Sequence, residues 1–221
     1  MATTTTTSNT IVEPNLLHET ATHQLRAYST QASGPTYHLR ILESVKEDHR
    51  EITSCGEQIL QSNDADEQTR AQNMFTWELA RHAVAEELVV YPAMERYLGA
   101  GWGREVAERD RGEHQGIKNK LHTFQTLKPS DPRFRPTLQS LLADFRTHAH
   151  GEETTDIPAL DRKLSQEESV GLSRALDRTK MFVPSRSHPG APSKGPFESA
   201  VGLMMAPMDL LGDLFRKWPG H

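Results

Sequence analysis

The chain has 221 residues, a formal net charge of −5 and a sequence pI near 6.1. This length suits one domain with tails, and an acidic balance without a basic run argues against nucleic acid as a partner. The single cysteine, Cys55, excludes an intramolecular disulfide and a cysteine-based zinc site, so any metal site must use nitrogen and oxygen ligands.

The first 35 residues are rich in serine and threonine and predict a disordered tail. The sequence has no apolar run long enough to span a membrane and no secretory signal pattern, so we expect a cytoplasmic protein. Residues 26–29, Arg-Ala-Tyr-Ser, resemble a mitochondrial cleavage site and make mitochondrial import the alternative. The acidic residues Glu13 and Glu19 argue against a transit peptide.

Four amphipathic helices are predicted between residues 36 and 165, because apolar residues recur there at steps of three and four. The first begins near Tyr37, and the others span about 66–98, 103–127 and 134–164, with a bend expected in the last near Pro158. Helices of similar length with short connections predict an all-α protein, an up-down-up-down four-helix bundle.

A further helix is predicted from about residue 166 to 181, followed by a proline-rich loop. The apolar stretch 197–218, interrupted by Pro207, carries few basic residues and is interpreted as packing across the bundle rather than docking on a membrane or partner. The predicted organisation is therefore a disordered tail over 1–35, a bundle over 36–165 and a C-terminal helical extension over 166–221.

One sequence frame occurs twice. His-x3-Glu-Glu-x4-Pro is found at residues 82–92 and again at 148–158. Each copy follows an earlier histidine at a similar interval, His49 in the first case and His114 in the second. One unit of about 65 residues therefore occurs twice, which predicts a site built from two similar halves.

These repeated residues are candidate metal ligands. A histidine and a glutamate four residues apart lie on the same side of a helix, and the two remaining histidines add one nitrogen from each of the other helices. A single histidine on an apolar stripe is more often a hydrogen-bonded core residue, but four on four stripes favour a metal site, since buried carboxylates without a cation are costly. The candidates are His49, His82, Glu86, His114, His148 and Glu152.

Imidazole and carboxylate ligands suit iron, manganese or zinc. Six ligands are more than one tetrahedral zinc ion uses, which favours two ions with bridging carboxylates. Over roughly residues 37–163 the spacing of these ligands resembles the hemerythrin-like, or HHE cation-binding, family. The resemblance implies a four-helix bundle that holds two non-heme iron ions, with an oxo or hydroxo bridge and two bridging carboxylates, and that binds or activates dioxygen. Ferritin-like di-iron proteins would instead show Glu-x-x-His on two helices.

One position departs from the oxygen-carrying hemerythrins. Those proteins have a second histidine one turn after the third-helix ligand, and Lys118 stands at that position. One iron ion lacks a nitrogen ligand unless Asp110, one turn before His114, or water completes its coordination. The departure weighs against reversible oxygen carriage and favours iron sensing or storage, or reaction of oxygen or peroxide at the metal.

The second glutamate of each frame leaves an alternative open. Helical rotation favours Glu86 and Glu152, which lie four residues after their histidines, over Glu87 and Glu153. The carriers of the family use the fifth position for one carboxylate, so Glu153 remains an alternative ligand. Three other histidines are interpreted as solvated or structural: His122, His150 and His188.

The sequence therefore predicts a non-heme di-iron protein that binds or reacts with dioxygen or peroxide, or handles iron. The alternative function is a di-iron oxygenase acting on a small organic substrate, with the C-terminal segment closing its cavity. The doubled ligand set argues against a metal-free interaction module. Expected partners are dioxygen, peroxide or a small molecule; no catalytic residue and no protein partner are predicted.

Overall fold

A computed structural model describes residues 39–190 and 196–220, with side chains for 39–190 and 205–220. The predicted disordered tail over residues 1–35 lies outside these ranges. Every regular element in the described part of the chain is helical, which confirms the predicted all-α class.

Four long helices carry the polar residues singled out above. They are α1 (Ile41–Gln61), α2 (Ala65–Leu98), α3 (Arg104–Phe124) and α4 (Phe134–Gly151). Each helix packs on the next, and α4 packs back on α1, so the four helices close a bundle.

The ends of α2 follow from local chemistry. The carboxylate of Asp64 accepts hydrogen bonds from the backbone N–H groups of Asp66 and Glu67, at 2.8 and 2.9 Å, and so caps the first turn. The helix continues through Pro92 and ends at Leu98, because the backbone of the next residue, Gly99, has a φ of 90° that favours glycine. A short π-helical turn, Gly99–Gly103, then leads into α3.

The last helix of the bundle, predicted over about 134–164 with a bend near Pro158, is divided before this proline and ends at Asp161. A π-helical turn, Glu152–Asp156, follows α4, and a short helix, α5 (Ile157–Asp161), follows the turn. The backbone N–H of Ile157 bonds to the carbonyl oxygen of Glu152, five residues back. This wider turn directly precedes Pro158, whose ring and missing N–H disfavour a regular α-helical turn.

The bundle core consists of two apolar clusters. One includes Ile52 and Phe145, and the other includes Val45 and Met94. Along α1 and α3 the second cluster comes first. Along α2, and along α4 followed by α5, the first cluster comes first. This reversal supports the predicted up-and-down alternation of the helices. Between the clusters, each of the four helices contributes buried polar residues.

The C-terminal extension begins with α6 (Gln166–Lys180), which packs on α1 and α2. Its start is fixed by a capping box, in which Ser165 and Glu168 each bond to the backbone N–H of the other. The last helix, α7 (Pro196–Asp213), continues through Pro207, whereas the sequence predicted an interruption there. None of the helices in the described ranges is long and apolar enough to cross a membrane.

The segment between α6 and α7 lies against the bundle. Ser185, Arg186 and Ser187 are buried, although they lie in the predicted proline-rich loop. The hydroxyl of Ser187 donates to the backbone carbonyl of Lys118 at 2.6 Å, and the guanidinium of Arg186 donates to Asp213 at 2.7 Å. Hydrogen bonds to α3 and α7 therefore hold this loop in place.

Candidate metal centre

The six predicted ligands meet in the polar layer between the two apolar clusters. All six are buried, with at most 2% of each residue exposed: His49, His82, Glu86, His114, His148 and Glu152. Each histidine comes from a different helix, and Glu152 opens the π-helical turn after α4. The repeat in the sequence thus appears as a pair of facing halves in the bundle.

Two overlapping sets of four residues can be distinguished by distance. In each set one ligand atom per residue lies within 4.8 Å of the others; the first set is His49, His82, Glu86 and Glu152, and the second is His114, His148, Glu86 and Glu152. Oε2 of Glu152 lies 3.3 Å from Nε2 of both His49 and His148. Oε2 of Glu86 lies 3.1 Å from Nε2 of His82 and 3.5 Å from Nε2 of His114. Both carboxylates therefore belong to both sets.

Several of the facing atoms have no hydrogen-bond partner. They are Nε2 of His49, His82 and His148, Oε2 of Glu152 and both carboxylate oxygens of Glu86. Buried polar atoms are normally satisfied, and leaving so many without partners is costly. The donor set of imidazole nitrogens and carboxylate oxygens fits cations such as iron, which would satisfy all of these atoms together.

The electrostatics of the two shared carboxylates also fit a cation. Burial, reinforced by the nearby charge of Glu152, raises the pKa of Glu86 well above its usual value. Burial acts in the same direction on Glu152, but His148 and His49 outweigh it and lower the pKa of Glu152. Two buried carboxylates this close cannot both stay ionised without added positive charge, and a bound cation would provide that charge.

Nε2 of each histidine faces the centre, and a carboxylate lies at Nδ1, the second ring nitrogen. The contacts of Nδ1 are His148 to Glu113 at 2.8 Å, His49 to Glu153 at 2.9 Å, His82 to Asp48 at 3.3 Å and His114 to Glu87 at 3.3 Å. A carboxylate there favours the tautomer that donates from Nδ1 and leaves Nε2 as the acceptor facing the centre. Metal-binding histidines in proteins are commonly supported in this way.

These contacts explain the doubled glutamate of the frame. The first glutamate of each copy, Glu86 or Glu152, faces the centre. The second glutamate holds a histidine of the other copy, because Glu87 contacts His114 and Glu153 contacts His49. Glu153, which the sequence left open as a ligand, belongs to neither set of four.

Asp48 and Glu113, which precede His49 and His114, were not singled out by the sequence. Each contacts the later histidine of its own half, His82 or His148. The signal was present, since an acidic residue precedes the first histidine in both copies. Its meaning depends on contacts between helices, which sequence periodicity does not specify.

Tyr91 is a further residue at the centre that the sequence did not reveal. Its fully buried hydroxyl donates to Oε1 of Glu152 at 3.0 Å and lies 3.0 Å from Nε2 of His114. Tyr91 follows Glu87 by one helical turn on α2, and both contact α3. The second copy has Ile157 at this position of the frame, so the phenol makes the two halves unequal.

Lys118 and Asp110, the residues expected near an incomplete coordination sphere, have other contacts. Nζ of Lys118 lies 2.8 and 2.9 Å from the two carboxylate oxygens of Glu87. Oδ1 of Asp110 accepts a hydrogen bond from Arg109 at 2.9 Å, while its buried Oδ2 has no partner. Asp110 groups with Glu113 and His148 rather than with either set of four. Burial and the charge of Glu152 raise the pKa of Asp110 to about 7.

The three remaining histidines in the described ranges lie away from the centre. His122 donates from Nδ1 to the carbonyl oxygen of Ser187 at 3.0 Å, and His188 pairs with Asp209 at 3.0 Å. His150 is exposed on α4. These contacts agree with the solvated or structural interpretation of all three.

Comparisons with known proteins give consistent matches. The family described as Hemerythrin HHE cation binding domain matches residues 40–160. An uncharacterized hemerythrin-like protein of Schizosaccharomyces pombe is 48% identical over 180 residues, which cover 81% of this chain and 88% of that protein. A DNA nickase of Nostoc sp. is 27% identical over 148 residues, which cover 67% of this chain but only 41% of the nickase.

One solved structure supports the fold. It is the crystal structure of a hemerythrin HHE cation binding domain-containing protein from Mycobacterium kansasii, with a TM-score of 0.56 and 22% sequence identity. The match covers 65% of this chain and 86% of that chain. At this level of identity the similarity concerns the fold of the bundle.

Proposed function

We propose, because the chain belongs to the hemerythrin HHE cation-binding domain family, that its bundle holds two non-heme iron ions and handles iron or reacts with dioxygen or peroxide. The observation that carries this proposal is the pair of four-residue sets that share Glu86 and Glu152. Two neighbouring ions could be held here, since each set would offer an ion two histidine nitrogens, and the carboxylates of Glu86 and Glu152 belong to both sets.

The proposed ligands are the six residues predicted from the sequence. His49 and His82 would hold one ion, and His114 and His148 would hold the other. The absence of cysteine from both sets argues against a structural zinc site built on thiolates. Iron is favoured over manganese and zinc, which accept similar ligands, by the family's resemblance to di-iron proteins.

Iron ions bound here would supply one-electron chemistry with dioxygen or peroxide. The chain itself would contribute position and hydrogen bonds. The four carboxylates at the Nδ1 atoms keep each Nε2 directed at the centre. The apolar clusters on both sides restrict the access of water to it. Tyr91 offers a buried O–H that lies within hydrogen-bond distance of Glu152 and His114. That group could hold a proton beside a small ligand.

The second candidate function is an oxygenase acting on a small organic substrate. It is favoured by a groove of about 330 Å³ between α1 and α4, where Arg50, Arg146 and His150 line the surface and His49 and Glu153 line the floor. A substrate in this groove would lie beside one ligand histidine. The lining combines apolar surface with charged groups, which would suit a small molecule that has both apolar and polar parts.

Metal analysis of the purified protein tests the proposal. We expect about two iron ions per chain and an absorption spectrum in air typical of ferric iron with oxygen ligands. His82→Ala and His148→Ala should each lose bound iron, because each removes one of the two nitrogens available to an ion. His150→Ala is the matched control, since His150 is exposed two residues from His148 and should leave the iron content unchanged.

Other results would contradict the ligand assignment or distinguish the two candidate functions. A single zinc ion or no metal in the wild-type protein, or full iron content in His82→Ala, would show that the ligand assignment is wrong. Oxygen consumption that depends on an added organic substrate would select the oxygenase. Consumption of oxygen or peroxide without such a substrate would support the first function.

A further inference from the structure

For two of the four histidines, the carboxylate at Nδ1 is also in contact with a lysine. At α3, Nζ of Lys118 contacts both oxygens of Glu87, at 2.8 and 2.9 Å, and Oε1 of Glu87 lies 3.3 Å from Nδ1 of His114. The lysine and the glutamate are both buried. The result is a continuous path of lysine, carboxylate and histidine that ends at the Nε2 atom near the centre.

The second path has the same chemistry but a different origin. Nζ of Lys180, at the end of α6, lies 2.7 and 2.8 Å from the two oxygens of Asp48, and Oδ2 of Asp48 lies 3.3 Å from Nδ1 of His82. The guanidinium of Arg81 donates to the backbone carbonyl of Lys180 at 2.5 Å and fastens the end of α6 beside it.

The remaining two histidines lack this arrangement. Their partners, Glu113 and Glu153, have side chains that are 43% and 30% exposed, so water screens their charge. Arg109 lies 3.9 Å from Glu113, but its side chain is itself 50% exposed, so this pair is screened as well. The side chains of Glu87 and Asp48 are only 2% and 14% exposed. Without a lysine these two would be buried charges facing a histidine alone, which is costly. Each set of four thus contains one histidine with a lysine behind its carboxylate and one without.

We propose, as an extension of the di-iron function proposed above, that Lys118 and Lys180 are positioning residues that weaken electron donation by His114 and His82 and raise the reduction potential of the iron centre. A carboxylate that accepts the Nδ1–H of a histidine makes the imidazole a stronger donor, and a stronger donor stabilises ferric iron. A lysine that shares the charge of this carboxylate reduces the effect. The two lysines therefore favour the ferrous form.

The positions of the lysines give the C-terminal extension a role in this centre. Lys118 lies within the stretch 40–160 that matches the family, whereas Lys180 lies beyond it. The offset that relates His49 to His114 places Thr53 at the position of Lys118 in the first half. The first half has no lysine of its own at that position, and α6 provides one from outside the repeat at a different carboxylate, Asp48.

Reduction potentials of the iron-loaded protein test this proposal. In a spectroelectrochemical titration we expect Lys118→Met and Lys180→Met each to shift the potential to a more negative value. Glu87→Gln should shift it in the opposite direction, because it removes the negative charge that the lysine offsets. Lys118→Arg keeps the positive charge and should stay close to the wild-type potential.

The matched control is Lys120→Met. Lys120 lies on the same helix as Lys118 but pairs at the surface with Asp144, at 2.5 Å, so its removal should leave the potential unchanged. A shift of the same sign in Lys118→Met and Glu87→Gln, or no shift in Lys118→Met and Lys180→Met, would overturn the proposal. Lys180→Met supplies an independent measurement should Lys118→Met fail to fold.

The iron content of the wild-type protein separates the two proposals. If the wild type binds two iron ions and the potentials do not follow the expected signs, only the role of the lysines is wrong. If the wild type binds no iron, the di-iron function is wrong and the inference about the lysines falls with it.

Discussion

Oε1 of Glu153 lies 2.9 Å from Nδ1 of His49, although the two residues belong to different halves of the repeated sequence. Burial lowers the pKa of His49, but Glu152 on the opposite ring nitrogen and Glu153 on this one together outweigh burial and raise it. Each half of the bundle therefore helps to orient a histidine of the other half. Neither half alone contains a complete set of oriented histidines.

The first prediction concerns this contact. Glu153→Ala removes the acceptor that fixes the tautomer of His49, and the affinity for iron should fall by about 10- to 100-fold, as for other residues that support metal ligands. Competition with a chelator would measure the change. Glu57→Ala is the control, because Glu57 lines the same groove but pairs with Arg146 at 2.6 Å. Equal affinity in wild type and Glu153→Ala would contradict the supporting role of Glu153.

The second prediction concerns the phenol at the centre. Tyr91→Phe removes the donor to Oε1 of Glu152, and in the metal-free protein this should lower the free energy of unfolding by about 1–3 kcal/mol. Tyr97 lies on the same helix as Tyr91, and Tyr97→Phe, which loses an exposed hydrogen bond to Glu168 of α6, should cost less than about 1 kcal/mol. Urea denaturation of both variants would measure the difference. A larger loss in Tyr97→Phe would refute the importance of the buried phenol.

The third prediction concerns pH. Burial, with the charges of Glu51 and Asp48 and against that of Arg81, raises the pKa of Glu78 to about 7 from an ordinary value of 4.5. A raised carboxyl pKa means that the folded state holds the proton longer than the unfolded chain. The free energy of unfolding therefore decreases as pH rises from about 4.5 to about 7 and stays lower above that range.

Glu78→Gln should remove this contribution. The stability of the metal-free variant, measured by urea denaturation relative to the wild type, should increase between about pH 5 and about pH 7 and level off above that range. A constant difference between the two proteins over that range would mean that Glu78 does not titrate as expected. Using the difference between the proteins cancels the titration of the groups they share.

The fourth prediction concerns helix packing between α1 and α4. A Cβ atom added at Gly56 would lie 2.6 Å from Cδ2 of Leu142, so Gly56→Ala requires this side chain to move and should destabilise the protein by about 1 kcal/mol or more. Gly112→Ala, in the exposed interior of α3 with no atom within 4 Å, should instead stabilise by about 0.5–1 kcal/mol. Thermal unfolding of the two variants should show shifts of opposite sign.

Much of the centre was predictable from local periodicity. Helical rotation selected Glu86 and Glu152 over their neighbours, and the structure places both among the four-residue sets. The same spacing placed His49 and His114 on buried stripes. Each of these predictions depends only on the position of a residue around its own helix, which the sequence determines.

The contacts around the centre depend on the packing of different helices. Lys180 and Asp48 are separated by 132 residues, and nothing in the sequence near either residue indicates their contact. Lys118 was expected to mark a missing ligand, and its pairing with Glu87 became visible only in the bundle. Tyr91 was one apolar residue among many until α2 and α3 were brought together.

The sequence by itself determined that six polar side chains lie on the buried faces of four helices, because a residue's direction around a helix follows from its position in the chain. The tertiary structure alone decided which ring nitrogen of each histidine faces the centre and which carboxylate holds the other one. Those choices are made by distances of about 3 Å between helices, and only the packing of the bundle sets such distances.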